Sequence, residues 1–137
     1  MKKRTPVSDI MSKTLITVNH TNTLRDVAQF IEEKKIHHLP VVSGNKIIGM
    51  ISKSDMERIT FVNDFQGETV STQLYDALTI EQVMTKNLVL IQKHQTIHEA
   101  AVILSENEFH ALPVIDGDAI VGIVTSVDIL KYFIDQY

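Results

Sequence analysis

One unit is written twice in this 137-residue chain, and no other feature constrains the fold as strongly. Shifting the chain by 73 positions aligns residues 8–60 with residues 81–133 without a gap. The aligned positions that are identical begin, in the first copy, with Met11, Lys13, Leu15, Thr23, Ala28, Glu33 and His37, and continue with Leu39, Pro40, Val41, Gly44, Ile47, Gly49 and Asp55. So long a register indicates two copies of one supersecondary unit, neither of which can bury its apolar faces alone.

Each copy begins with a short apolar run and a helix signal. The runs at residues 15–18 and 88–91 predict brief strands. Thr23 precedes Asp26 by three residues, and Thr96 precedes Glu99 by three, which is the spacing of a capping box. Apolar residues then recur at i, i+3, i+4 and i+7, as in a helix that lies on a core.

A proline-containing strand, a turn and a return strand follow in each copy. The predicted strands are residues 39–42 and 46–51, and 112–115 and 119–124, each pair ahead of a second helix that starts near Ser54 or Val127. Each copy therefore predicts a β-α-β-β-α unit. The predicted fold class is α/β, with repeat one at residues 1–62, a linker at 63–79 and repeat two at 80–137, packed by pseudo-two-fold symmetry. Within the linker, residues 63–68 predict a loop, and a helical turn is predicted from Ser71 or Thr72.

Composition excludes several classes of function. A net charge of −4 gives no electrostatic reason to expect a nucleic acid or an anionic membrane as partner. The chain has no cysteine and no apolar run of the length that spans a bilayer, so we expect a cytoplasmic protein. His94 and His98 flank the helix cap at Thr96 and do not share a helical face, so no metal site is expected. No catalytic motif stands out, and we expect no enzyme activity.

The ordered motifs of each copy resemble a CBS (cystathionine-β-synthase) repeat. They are Met11-Ser12-Lys13, His37-His38-Leu39-Pro40 and Gly49-Met50-Ile51-Ser52-Lys53-Ser54-Asp55, with Met84-Thr85-Lys86, His110-Ala111-Leu112-Pro113 and Gly122-Ile123-Val124-Thr125-Ser126-Val127-Asp128 in the second copy. The resemblance implies a Bateman module that requires no cofactor. It senses AMP, ADP, ATP or S-adenosylmethionine in clefts between the repeats and regulates a separate partner protein.

The resemblance also implies the residues that bind the ligand. It assigns the ribose diol to Asp55 and Asp128, with Ser52 and Thr125 near phosphate or ribose. It assigns the adenine pocket to the segments that contain Ile36, His37, His38 and Pro40, and Phe109, His110, Ala111 and Pro113. His38 is matched by Ala111 in the second copy, so the two clefts are expected to differ.

Alternatives to ligand binding remain open at this stage. Ser-x-x-Asp and Thr-x-x-Asp also form helix caps without a ligand, and both roles can coexist. His37 and His110 also fit buried, hydrogen-bonded histidines. The module is expected to form a homodimer through apolar residues near the second helices, namely Ile59, Phe61, Val62, Tyr132, Phe133 and Ile134. The alternative to a sensor is a ligand-free structural module whose role is dimerisation.

Overall fold

The computed structural model describes residues 4–61 and 75–137, which form two compact units of mixed helix and strand. We call Ile16–Leu88 the hairpin-1 unit, and Met1–Leu15 together with Val89–Tyr137 the hairpin-2 unit. The predicted α/β class is confirmed. The helices are α1 (Leu24–Lys34), α2 (Lys53–Phe61), α3 (Ile80–Val83), α4 (Ile97–Ser105) and α5 (Ser126–Asp135). The strands are β1 (His38–Ser43), β2 (Lys46–Ser52), β3 (Ile91–Gln92), β4 (Ala111–Asp116) and β5 (Ala119–Thr125).

The hairpin-1 unit is built on an antiparallel pair, β1 and β2, joined at Gly44 with a φ of 63°. Helix α1 begins at a complete capping box: the Thr23 hydroxyl accepts from the Asp26 amide, and the Asp26 carboxylate accepts from the Thr23 amide. Its apolar face and the inner faces of both strands bury one cluster, composed of Val18, Leu24, Val27, Leu39, Val41, Ile51, Met56 and Ile80. The cap and hairpin signals of the first copy therefore produce the elements that they predict.

The hairpin-2 unit repeats this plan. Strands β4 and β5 are antiparallel and turn at Gly117 with a φ of 66°, while β3 runs parallel to β4 and pairs at Val114 and Ile115. The buried cluster consists of Val7, Ile91, Ile97, Ala100, Leu104, Leu112, Val114 and Val124. The second capping box is incomplete, because Glu99 accepts from the Gln95 side chain where the amide of Thr96 was expected to donate.

The first residues of each repeat belong to the compact unit that contains the hairpin of the other repeat. Val7 and Met11 lie at the start of the first repeat but contact the hairpin-2 core, and Ile80 and Met84 lie at the start of the second repeat but contact the hairpin-1 core. Backbone pairing accompanies the exchange: Ser12 pairs with Ile123 at N···O distances of 2.8 and 3.1 Å. Thr85 pairs in the same way with Met50, at 2.9 and 3.0 Å.

Glycines make this exchange possible. A Cβ at Gly49 would collide with the side chain of Met84, and a Cβ at Gly122 would collide with that of Met11. At Gly122 the added carbon would also lie 2.9 Å from the backbone oxygen of Ser12. The repeated Gly49 and Gly122 therefore provide space for the methionine of an incoming segment.

Some sequence predictions are wrong in detail. Residues 15–18 do not form a strand; only Val18 makes a single parallel bridge, with Val41. Ile59 and Tyr132, both expected on the dimer surface, are partly buried against the core of their own units. The predicted loop at 63–68, the turn from Ser71 or Thr72, the side chain of Phe61 and all of Val62 lie outside the described residues or side chains. In the part of the chain that the structure describes, no helix is long and apolar enough to cross a membrane.

Candidate functional site

The predicted ribose ligand of the first copy lies where β2 ends and α2 begins. The Ser52 amide donates to Asp55 Oδ2 over 2.9 Å, and the Asp55 amide donates to the Ser52 hydroxyl over 3.0 Å. Arg58, one turn further along α2, forms an ion pair with Asp55 Oδ1. Asp55 is the buried charged residue of the described core, with 7% of its surface exposed. Both carboxylate oxygens are therefore engaged by the protein itself.

Hairpin register brings the predicted adenine segment beside this cap. His38 is the cross-strand partner of Ser52, and Pro40 is the partner of Met50. The Lys53 amide, at the first position of α2, donates to the carbonyl of His37 over 2.8 Å. The structure thus places His37, His38 and Ser52 together, whereas the His37 side chain is exposed and is not the buried histidine considered as an alternative.

A shallow cavity of about 370 Å³ opens next to this segment. Ile36, His37 and Lys53 line one side of it, and helix α1 lines the other side with Ala28, Ile31 and Glu32. The side chains of Ser52 and Asp55 do not line it. A larger hollow of about 510 Å³, near the ion pair of Arg25 with Asp76, contains none of the predicted site residues.

The second copy reproduces the cap with one difference. The Thr125 amide donates to Asp128 Oδ2 over 2.8 Å, and the Asp128 amide donates to the Thr125 hydroxyl over 3.1 Å. Within residues 4–61 and 75–137, Asp128 Oδ1 accepts no hydrogen bond and Lys131 makes no ion pair. Asp128 is also less buried than Asp55. One carboxylate oxygen is therefore open to a ligand in this copy.

The neighbouring strand of the second copy has the same register. Ala111 is the cross-strand partner of Thr125, and Pro113 is the partner of Ile123. The Ser126 amide donates to the carbonyl of His110 over 3.0 Å. Phe109 and the His110 side chain are exposed. Each copy therefore places a carboxylate, a hydroxyl and the start of a strand next to one another.

Displaced pKa values among the described residues identify groups that serve the fold. The Thr23 amide, which donates to Asp26, holds the pKa of that carboxyl below its usual value. Hydrogen bonding to Arg25 lowers the pKa of Asp76, and hydrogen bonding to Gln95 lowers that of Glu99. None of these groups belongs to the predicted binding residues. Among the described residues, no cluster of three or more histidine or acidic side chains is placed to hold a metal ion.

From the sequence, Arg58 fits either a phosphate contact or a solvated surface charge, and neither interpretation gives it a role in the helix cap. Its spacing of three residues from Asp55 is visible in the sequence and is typical of an ion pair on one helical face. The second copy has Lys131 at the same position and forms no such pair among the described residues. The difference between the two carboxylates became visible only with the side chains in place.

Known proteins share both the sequence pattern and the fold. A family model described as the CBS domain matches residues 7–59 and 80–135. Homoserine O-acetyltransferase of Methanohalobium evestigatum is 34% identical over 93% of this chain, a stretch that is 24% of the enzyme. The chain also spans 38% of the uncharacterised protein MJ1232 of Methanocaldococcus jannaschii, so it covers only a minor part of these curated relatives.

Solved structures match over nearly the whole chain. The CBS domain pair of protein MJ0100, in complex with 5′-methylthioadenosine and S-adenosyl-L-methionine, has a TM-score of 0.79 and 28% identity. That match covers 97% of this chain and 98% of the other. Protein MJ1225 from Methanocaldococcus jannaschii has a TM-score of 0.82 and 27% identity, over 97% of this chain and 49% of its own.

Proposed function

Because the chain belongs to the CBS domain family, as the resemblance predicted, we propose that it is a regulatory module that binds an adenosine-containing ligand. The observation that carries the proposal is the doubled cap, in which an aspartate on the first turn of a helix stands beside the start of a neighbouring strand. A carboxylate can accept hydrogen bonds from two vicinal hydroxyls at once, as a ribose diol requires. The positive end of a helix dipole also favours a nearby phosphate.

Adenosine is the ligand class that the comparison with protein MJ0100 supports. Its two ligands, 5′-methylthioadenosine and S-adenosyl-L-methionine, have adenosine in common and differ at the 5′ position. We carry over the shared part and leave the 5′ substituent open among AMP, ADP, ATP and S-adenosylmethionine. Ser52, Asp55, Thr125 and Asp128 are the proposed ribose contacts, and the backbone near His37 and His110 is the proposed adenine contact.

Regulation of another protein, not catalysis, is the proposed output. The acetyltransferase relative matches this chain over only 24% of its length, which fits a module attached to or acting on a separate enzyme. Ligand binding regulates a partner only if the ligand prefers one of two arrangements of the module. The net charge of −4 disfavours a nucleic acid as that partner.

We also propose that the module forms a homodimer through helix α5. Leu130 and Ile134 are 60% and 67% exposed, and they continue a stripe that includes Val127, Phe133 and Tyr137. A second copy is the proposed partner because the charged residues of the same helix, Lys131 and Asp135, are complementary to those of a second copy. Lys131 and Asp135 make no ion pair among the described residues. Across a two-fold axis at Phe133, Lys131 of one copy would face Asp135 of the second copy.

Light scattering tests the dimer. A mass near twice 15.5 kDa is expected at micromolar concentration, and Leu130→Glu should return the monomer. The control is Glu57→Ala, the matched position on α2, where the surface is already polar and dimerisation should persist. A monomeric wild-type chain, or a dimer unaffected by Leu130→Glu, contradicts this interface.

A ligand-free structural module is the second candidate, favoured by one observation. Both aspartates already serve as helix caps, a role that needs no ligand. In that case the stripe on α5 would be the functional surface and the caps would only hold the hairpins and helices in place. The two candidates differ in a single measurable property, which is nucleotide affinity.

Thermal unfolding with a panel of adenosine compounds separates the two candidates. A ligand at a hundredfold excess over Kd adds about 2.7 kcal/mol to the stability of the folded state. Asp55→Asn combined with Asp128→Asn should remove the shift, since the amide has no charge and only one acceptor oxygen where the carboxylate has two. Asp26→Asn is the matched control, a capping acid outside the candidate sites. No shift with 5′-methylthioadenosine, S-adenosylmethionine, AMP, ADP or ATP at millimolar concentration would overturn the sensor.

A further inference from the structure

Arg58 occupies the carboxylate that the first repeat offers to a ligand. Its side chain is 72% exposed, yet its guanidinium reaches Asp55 Oδ1, while Oδ2 accepts the Ser52 amide. The Asp55 side chain is only 8% exposed. A ribose that approaches this carboxylate from solvent therefore competes with a guanidinium for the same oxygen.

The second repeat provides the comparison, because its cap is otherwise the same. Thr125 and Asp128 repeat the reciprocal hydrogen bonds of Ser52 and Asp55. Lys131 stands where Arg58 stands in the first repeat, and in the described part of the chain it leaves Asp128 Oδ1 open. The difference between the two carboxylates thus coincides with the difference between arginine and lysine three residues later.

Removal of the guanidinium from Asp55 has a cost that only some ligands offset. A charge-assisted pair between arginine and carboxylate is stronger than a neutral hydrogen bond. A phosphate can take the guanidinium as its own partner in a bidentate pair, so the exchange replaces one anion with another. A neutral adenosine offers Arg58 no anion, and S-adenosylmethionine has a positive sulfonium at the 5′ position where AMP has its phosphate.

We propose that Arg58 determines the ligand specificity of the first repeat. It closes Asp55 through their ion pair, and it releases that carboxylate to an adenosine ligand that carries a phosphate. The second repeat, without this closure, accepts adenosine whether or not a phosphate is present. This inference rests on the proposed binding of adenosine compounds and adds to it a difference in ligand class between the two repeats.

AMP and adenosine form the test pair, because they differ only in the phosphate. Calorimetry in the Asp128→Asn background should show AMP binding at least about tenfold more tightly than adenosine, a difference of about 1.4 kcal/mol. Arg58→Gln should tighten adenosine and weaken AMP, so that the ratio falls to about threefold or less. Arg25→Gln, which removes another exposed, ion-paired arginine of the same unit, should leave the ratio unchanged.

The reciprocal exchange tests the same idea at the second repeat. In the Asp55→Asn background, Lys131→Arg should weaken adenosine and leave AMP nearly unchanged, thereby installing the selectivity of the first repeat. A purely structural ion pair would change the melting temperature in Arg58→Gln without moving the ratio of AMP to adenosine affinity. That result, with binding retained, overturns the role of Arg58 alone. Absence of binding by both compounds in every variant overturns the sensor function together with this inference.

Discussion

The hairpin-1 and hairpin-2 units carry the same aspartate on the same helix cap, but they differ in what covers it. Asp55 is buried beneath Arg58, whereas Asp128 is half-buried with one oxygen open among the described residues. The reciprocal bonds to Ser52 and Thr125 are nearly the same in length. The shared motif therefore determines how the helix begins, and a residue outside the motif determines whether the carboxylate is accessible.

The units differ in a second way, at the glycines that receive the exchanged segments. Met84 is the neighbour that a Cβ at Gly49 would meet, and a thioether side chain can move. At Gly122 the neighbours include the backbone oxygen of Ser12, which is held by its pairing with Ile123. Equivalent positions in the repeat thus differ in their tolerance of added volume.

The largest expected effect tests the exchange itself. Ile80 is 2% exposed and packs in the hairpin-1 core, so Ile80→Ala should destabilise that unit by about 2–5 kcal/mol. Hydrogen exchange should then quicken in β1 and β2 more than in β4 and β5. Val7→Ala, the matched substitution on the other segment, should show the opposite pattern. If Ile80→Ala instead loosens β4 and β5, the assignment of the segments is wrong.

A smaller effect is expected at the two glycines. Gly122→Ala should destabilise the protein by about 2–3 kcal/mol, because a backbone oxygen has to move, and Gly49→Ala by about 1 kcal/mol. Urea unfolding measures both values. Gly49→Ala should cost less in a Met84→Ala background than in the wild-type chain, because the colliding side chain is absent. Equal losses at the two glycines would show that the Ser12 carbonyl yields as easily as a thioether.

The two aspartates should contribute unequally to the binding of adenosine. Asp128→Asn is expected to weaken adenosine about tenfold or more, since a hydrogen bond to a charged group contributes about 1.5–3 kcal/mol. Asp55→Asn should weaken it less than about threefold, because Arg58 already competes for that carboxylate. Titration calorimetry gives both affinities, and equal losses would contradict the comparison of the two caps.

The smallest effect concerns the acids that cap α1 and α4. Hydrogen bonding to the Thr23 amide lowers the pKa of Asp26, so its contribution to stability is present above the unfolded pKa and is lost as the pH falls through the folded pKa. Asp26→Asn should therefore flatten the acid side of the stability profile slightly. Glu99→Gln should also flatten it, mainly because it removes the carboxylate that the Gln95 side chain stabilises. A steeper acid side in Asp26→Asn would contradict the direction of this pKa shift.

Local features were predictable from the sequence because their causes are local. The cap at Thr23, the two hairpins and the starts of α2 and α5 follow from side chains within a few residues of each other. The incomplete box at Thr96 was not predictable, since Gln95, four residues before Glu99, and Thr96, three residues before it, can both reach its carboxylate.

Features that depend on distant segments were not predictable in this way. A repeat pattern does not state which hairpin receives Val7 or Ile80, because the two hairpins have nearly the same pattern of apolar residues. Ile59 and Tyr132 are partly buried against the cores of their own units, and this too is not visible in the pattern. The ion pair of Arg58 with Asp55 could not be predicted from their three-residue spacing alone, because it also depends on how deeply Asp55 is buried. The binding residues themselves came from a family resemblance, and their contact with a ligand stays a prediction.

The exchange of opening segments sets an order for folding during synthesis. The hairpin-1 unit is one continuous stretch, Ile16–Leu88, so all of its parts are available once that stretch has left the ribosome. The hairpin-2 unit is divided, and Val7, Ile10 and Met11 are made long before the strands that bury them. At about 5–20 residues per second, these apolar side chains wait for several seconds. During that interval they are available to a chaperone or to the wrong hairpin, which makes the first residues of the chain the last to reach their native contacts.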